Sequence, residues 1–146
     1  MISLPVRTVM ERENLLTAPP DTLVFNAARL MAARKVGAVM VIENDVLIGI
    51  FTERDAVFTV LARGLDPNQT RLADVMTHSP KTIDPEKSFG YALLLMHKNG
   101  FRHLPVVENG KLLGIVSARN ALDPDLEEFV SESRRREQIL RDNKGE

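Results

Sequence analysis

Four side chains at matched spacing carry the first chemical suggestion in this chain. Thr52 and Asp55 stand three residues apart, and so do Ser117 and Asn120. Each pair closes a related stretch, Gly49-Ile50-Phe51-Thr52-Glu53-Arg54-Asp55 and Gly114-Ile115-Val116-Ser117-Ala118-Arg119-Asn120. A hydroxyl residue at a strand end, just before a helix, can accept from the free N–H groups of the first turn. The same helix start carries partial positive charge and can hold a phosphate. A short carboxylate or amide three residues on can meet a vicinal diol, as acidic residues hold ribose in dinucleotide folds. Arg54 and Arg119 directly precede that polar residue, where a guanidinium could serve a phosphate. The leading glycine admits close approach of another group to the backbone. A structural reading competes with this one. Thr52-x-x-Asp55 also fits a capping box, in which the third helical residue reaches back to the cap. Asn120 is a less typical partner for such a box.

The elements that position these residues follow from the flanking pattern. Apolar runs of strand character precede each motif, V-I-E-N-D-V-L-I at 41–48 and V-V-E-N-G-K-L-L at 106–113. The motifs recur after 65 residues, so an internal repeat covers most of the chain. In the first copy a short helix is expected over 4–10, then an extended segment from Glu11 to Pro20. Asp21-Thr22 reads as the cap of a helix with an apolar face at Val24, Ala27, Ala28, Leu30, Met31 and Val36, ended by Gly37. Strands are expected over Ala38–Ile42 and Val46–Phe51 around a Glu43-Asn44-Asp45 turn, then a helix from Thr52 to about Ala62. Residues 63–68 form the linker. The second copy retraces this course. Ala73-Asp74-Val75-Met76 echoes Arg7-Thr8-Val9-Met10, Pro80 to Ile83 is extended, and Asp84-Pro85 caps a helix from about 86 to 98, ended by Asn99-Gly100. A hairpin forms around Glu108-Asn109-Gly110, where Asn-Gly is a strong turn signal. A helix from Ser117 to about Leu122 stops at Asp123-Pro124, and a charged helical tail follows, with Glu132 placed to pair with Arg136.

Composition excludes several function classes. The chain has 146 residues, a net charge of −1 and no cysteine. That charge offers no footprint for nucleic acid and little attraction to an anionic membrane. Without cysteine there is no disulfide, zinc–thiolate site or thiol catalysis. No apolar run is long enough to span a bilayer, and the N-terminus lacks a signal-peptide pattern. A cytoplasmic, soluble protein is expected. Each repeat of about 50 structured residues buries too little surface to stand alone, so the two should pack through their sheets.

Two copies of Val-Met at 9–10 and 75–76, the F-R-H-L-P-V-V segment at 101–107, the hairpins and the paired G-h-x-[T/S]-x-x-[D/N] motifs resemble a tandem pair of cystathionine-β-synthase (CBS) domains. The resemblance covers roughly residues 5–123. It implies an α/β fold of two β-α-β-β-α repeats with pseudo-twofold symmetry (a Bateman module), divided as 5–65 and 69–123, with 124–146 as a tail. It implies a regulatory module rather than an enzyme. The module would bind AMP, ADP or ATP, or else NAD or S-adenosylmethionine, in clefts between the repeats, dimerise, and signal to an effector protein. By that match Asp55 holds the ribose diol of one cleft and Thr52 contacts phosphate or ribose. Ser117 and Asn120 take those roles in the other. Phe101, Arg102, His103 and Pro105 line the base and phosphate region of the second repeat, with Gly37, Ala38 and Met40 in the matching places of the first. Thr82 and Ile83 offer backbone contacts to the base. The basic residues belong to one repeat and Asp55 to the other.

The remaining candidates have bland readings. His103 beside a buried strand reads as a packed histidine rather than a catalytic one. His78 and His97 lack partners at metal-ligand spacing. The methionines read as core filler, and Arg134-Arg135-Arg136, interleaved with acids, as a solvated helix face. A ligand-free scaffold is the rival to the nucleotide sensor.

Overall fold

Both hairpins form where the local signals put them. β2 (Ala38–Glu43) and β3 (Val46–Thr52) pair antiparallel, turning through Asn44 and Asp45 with φ of 50° and 64°. β5 (His103–Glu108) and β6 (Lys111–Ser117) do the same through Asn109 and Gly110, with φ of 51° and 80°. Positive φ at both central residues matches the twist that a tight hairpin needs. The two hairpins share even their irregularity, a register shift at Val41/Ile42 and at Val106/Val107.

The computed structural model describes residues 2–121 and 135–143. Around the hairpins stand α1 (Val6–Val9), β1 (Thr17–Ala18), α2 (Val24–Arg34), α3 (Glu53–Asp55), α4 (Leu72–Val75), β4 (Thr77–His78) and α5 (Phe89–Asn99). α3 runs on as a π-helical segment over Ala56–Leu61, where a plain α-helix is expected from the sequence. A 3-10 turn, Ala118–Ala121, follows β6, and residues 135–143 are helical. The expected end of the post-β6 helix at Leu122 and the Glu132–Arg136 pair lie outside the described residues. The first sheet has the order β1-β2-β3-β4, with β1 parallel to β2, and β5-β6 forms the second.

The repeats exchange their short helices. Val6 and Met10 of the α1 segment are buried with Phe89, Leu104, Val106 and Val116 of the second repeat. Leu72, Val75 and Met76 of the α4 segment are buried with Val39, Val41 and Phe51 of the first. After each exchanged helix the chain joins the edge of the other repeat's sheet. His78 pairs with Gly49 on β3, and Glu11 exchanges both backbone hydrogen bonds with Ile115 on β6. The recurring glycines follow from this. A Cβ on Gly49 would collide with Met76, and one on Gly114 would lie 2.6 Å from the Glu11 carbonyl oxygen and 3.1 Å from the Met10 sulfur. The group that approaches each glycine is thus the exchanged arm. A third apolar cluster, Ala38, Met40 and Ile50 with Leu47, Leu112 and Ile115, joins the two sheets.

Three expected helix ends differ, two of them through contacts between the repeats. Asp21-Thr22 does not cap α2. Leu23 occupies the cap position without a side-chain bond, because the Thr70 and Pro67 carbonyls accept from Val24 N (2.8 Å) and Phe25 N (3.0 Å). Asp84-Pro85 does not cap α5, which begins three residues later than expected. Asp84 accepts from Glu86 N at 2.8 Å and shapes a turn, while the Ser88 hydroxyl accepts from Tyr91 N at 3.1 Å. Leu4 and Ile2 carbonyls take the N–H groups of Phe89 and Gly90. α2 ends on Lys35 in the left-handed conformation (φ 56°), two residues before Gly37.

Removing residues 1–10 should therefore damage the second repeat, not the first. We expect amides of α5, β5 and β6 to lose hydrogen-exchange protection while those of β2 and β3 keep most of theirs. Uniform protection, or loss confined to the first hairpin, would contradict the exchange.

Candidate functional site

The register of each hairpin places the motif residues opposite the start of the first strand. Ala38 faces Thr52, and His103 faces Ser117. Equivalent backbone bonds close each junction, Glu53 N to Gly37 O (3.0 Å) and Ala118 N to Arg102 O (2.9 Å). Two clefts open at these junctions.

The Thr52 cleft, about 860 Å³, brings together Thr52, Arg54, Asp55, Phe101, Arg102 and His103. Asp55 of one repeat and the basic pair of the other therefore share one cavity. Thr52 and Asp55 do form a capping box. Thr52 N donates to Asp55 Oδ2 at 2.9 Å, and Asp55 N donates to Thr52 Oγ1 at 3.3 Å. The box fixes the half-buried carboxylate beside the helix start and faces it into the cleft. Arg54 donates to the Gly100 carbonyl at 3.3 Å and lies 5.3 Å from the centre of the Phe58 ring, on the cleft rim. The arrangement suits an anionic, diol-bearing ligand with an apolar part.

The Ser117 cleft, about 1120 Å³, is lined by Gly37, Ala38, Met40, Arg102, His103, Ser117 and Arg119 among the expected residues. Met40 is also fully buried in the cluster that joins the sheets. Asn120 lies in the 3-10 turn after β6. Pro105, Thr82 and Ile83 are not among the lining of either cleft. Ile83 is buried in the second core, and its N–H donates to the Pro105 carbonyl at 3.0 Å.

Sequence reasoning missed several lining residues. Glu53 sits inside the motif at a position that reads as variable, yet it lines both clefts. Thr77, Ser79 and Lys81 reach the Thr52 cleft because β4 joins the first sheet, and Glu11 and Asn14 reach the Ser117 cleft by the matching route. No local pattern signals either route. His78 bonds the Ala73 carbonyl at 3.0 Å, and the described residues contain no group of side chains arranged to hold a metal ion. No helix among them is long and apolar enough to cross a membrane.

Burial holds the His103 imidazole below its usual range, with Glu53 acting to raise it and Arg102 to lower it further. The folded chain thus resists a proton that the unfolded chain accepts below about pH 6.5. The stabilisation from neutral, half-buried His103 is whole above that value and is lost as pH falls toward the folded pKa. We expect urea-unfolding stability to drop from about pH 7.5 to about pH 5.5, and His103→Gln to flatten part of that slope. An identical slope in the variant would remove His103 as its source.

Comparison with known proteins identifies the family. The CBS domain family matches residues 6–61 and 72–125. The chain is 41% identical over 108 residues to a CBS domain-containing protein of Arabidopsis thaliana, CBSCBSPB3, covering 73% of this chain and 19% of the relative. It spans about a fifth of the length of the first curated relatives it matches. An uncharacterised conserved protein of Pyrococcus horikoshii superposes with a TM-score of 0.80 at 28% identity, covering 86% of this chain and 94% of the other. A CBS domain protein of Pyrobaculum aerophilum, solved in complex with AMP, is alike in fold, with a TM-score of 0.73 at 21% identity over 80% of this chain and 89% of the other. With both repeats matched by the family and the α/β fold shared with these structures, the chain belongs to the CBS domain family as a tandem pair.

Proposed function

We propose that the chain, with halves 5–65 and 69–123, is a regulatory module that binds an adenine nucleotide, AMP, ADP or ATP, and reports its occupancy to a partner protein in the cytoplasm. The observation that carries this reading is the Thr52 cleft. There a carboxylate held by the capping box shares with Arg102 and His103 a cavity of about 860 Å³, large enough for a nucleotide. In this reading Asp55 accepts from the ribose diol. The phosphate meets Thr52, the helix start and the basic pair, and Phe101 contacts the base. Family membership supports a binding role rather than catalysis, and AMP in the Pyrobaculum protein of the same fold supports the ligand class. The exposed apolar side chains Val57, Phe58, Leu61, Tyr91 and Leu94 offer a surface for a homodimer. Ligand acts by favouring one arrangement of repeats or protomers through its differential affinity.

Calorimetric titration with AMP, ADP, ATP, NAD and S-adenosylmethionine tests the reading. We expect one adenosine compound to bind in the micromolar range. Asp55→Ala should weaken it by more than tenfold, and Asn120→Ala by less, since an amide lacks the carboxylate's charge. Thermal unfolding of both variants separates ligand loss from the roughly 1 kcal/mol cost of a lost cap. No binding by any of the five to folded, ligand-stripped protein would favour a scaffold role.

A further inference from the structure

The two clefts are not separate rooms. Glu53, Arg102 and His103 line both of them. Two of these side chains meet at Gly37, where a Cβ would lie 3.0 Å from Glu53 Oε1 and 3.3 Å from His103 Nε2. The pseudo-symmetry explains why there is one wall instead of two. Arg102 and His103 of the second repeat correspond to Gly37 and Ala38 of the first, and Glu53 of the first repeat corresponds to Ala118 of the second. One repeat supplies the acid and the small residues, and the other supplies the guanidinium and the imidazole. Two equivalent repeats would each bring a basic pair to their own cleft. This chain has a single pair at the boundary, balanced by one carboxylate.

We propose that Arg102 and His103 form one anion-binding wall shared by both clefts, its charge offset by the neighbouring Glu53, so that filling one cleft with a phosphate-bearing ligand weakens the other. The proposal rests on the nucleotide reading above and adds the coupling between sites. A phosphate in the Thr52 cleft takes donors from Arg102 and His103. A second phosphate in the Ser117 cleft then meets a wall whose donors are engaged and whose charge is already answered. Like charges held against the same residues repel, and because Glu53 and Arg102 are exposed the repulsion weakens as salt rises. Each cleft also has a cation of its own, Lys81 in the Thr52 cleft and Lys35 in the Ser117 cleft. Binding at one cleft therefore lowers affinity at the other by a factor that is the same in both directions.

Calorimetry with AMP and with ATP, on the wild-type chain and three variants, tests this. The expected result is two binding events per chain with affinities at least tenfold apart. Arg102→Gln should weaken both events, by about tenfold each. Lys81→Gln should weaken only the event at the Thr52 cleft, and Lys35→Gln only the event at the Ser117 cleft. Arg102 and both lysines are exposed, so these variants should keep the fold. Two events of which Arg102→Gln weakens only one would overturn the shared wall and leave the nucleotide reading standing. Two equal, independent events would do the same. No binding by either nucleotide would overturn the nucleotide reading and the wall with it.

Discussion

The contact between each exchanged arm and a strand glycine is the constraint on which the rest of the structure depends. Met76 lies on Gly49, and Met10 with the Glu11 backbone lies on Gly114. Those contacts exist only if α1 packs in the second repeat and α4 in the first. Val6 and Leu72, both fully buried, sit in the cores they visit rather than in their own repeats. Each such side chain contributes about 1.5–3 kcal/mol by burial. Arg7 adds a polar tie, reaching Glu86 at 2.8 Å and Glu108 at 2.9 Å, though at that exposure such pairs contribute little. Neither half can bury a core or satisfy its helix starts without the other. The exchange also delivers cleft residues. β4 leads Ser79 and Lys81 into the Thr52 cleft, and the Glu11 bridge leads Asn14 into the Ser117 cleft.

What was legible in the sequence was local. The hairpins follow from strand patterning and from Asn44-Asp45 and Asn109-Gly110, residues that accept positive φ. Gly100 ends α5 for the same reason. The start of α2 departs from the local signal because carbonyls from residues 67 and 70 stand in for a side-chain cap, and α5 starts at Ser88 rather than Asp84, with the carbonyls of residues 2 and 4 taking its first N–H groups; no window along the chain contains both partners of these backbone bonds. The paired glycines signalled a close approach, but the approaching group is the exchanged arm. In the site, Thr52, Asp55, Arg102 and His103 were legible as types at a spacing. Glu53 and Lys81 were not, because their role depends on which elements the exchange brings together.

The capping and ligand readings of the motif turn out to be compatible. The box engages Asp55 through Oδ2 and leaves the carboxylate in the wall of the cleft. A carboxylate already held in one rotamer loses less freedom when it receives a ligand. Thr52 likewise serves the helix start and the cleft at once. In the proposed reading the local rule that stabilises the junction also prepares it for binding.

The rim of that cleft extends the same logic across the repeats. After Asp55 the helix widens to a π segment, with Ala62 N bonded to Val57 O at 2.8 Å and Leu65 N to Val60 O at 3.0 Å. Such segments are uncommon and concentrate at functional sites. Here Val60 is buried in the first core while Val57 and Phe58 line the cleft. Phe58 supports the Arg54 guanidinium, which reaches the Gly100 carbonyl at the end of α5 in the other repeat. An anion entering this cleft competes with that carbonyl for the same donors. Because Gly100 closes the helix that leads into Phe101, Arg102 and His103, a change at Arg54 bears on the wall between the clefts as well as on the rim.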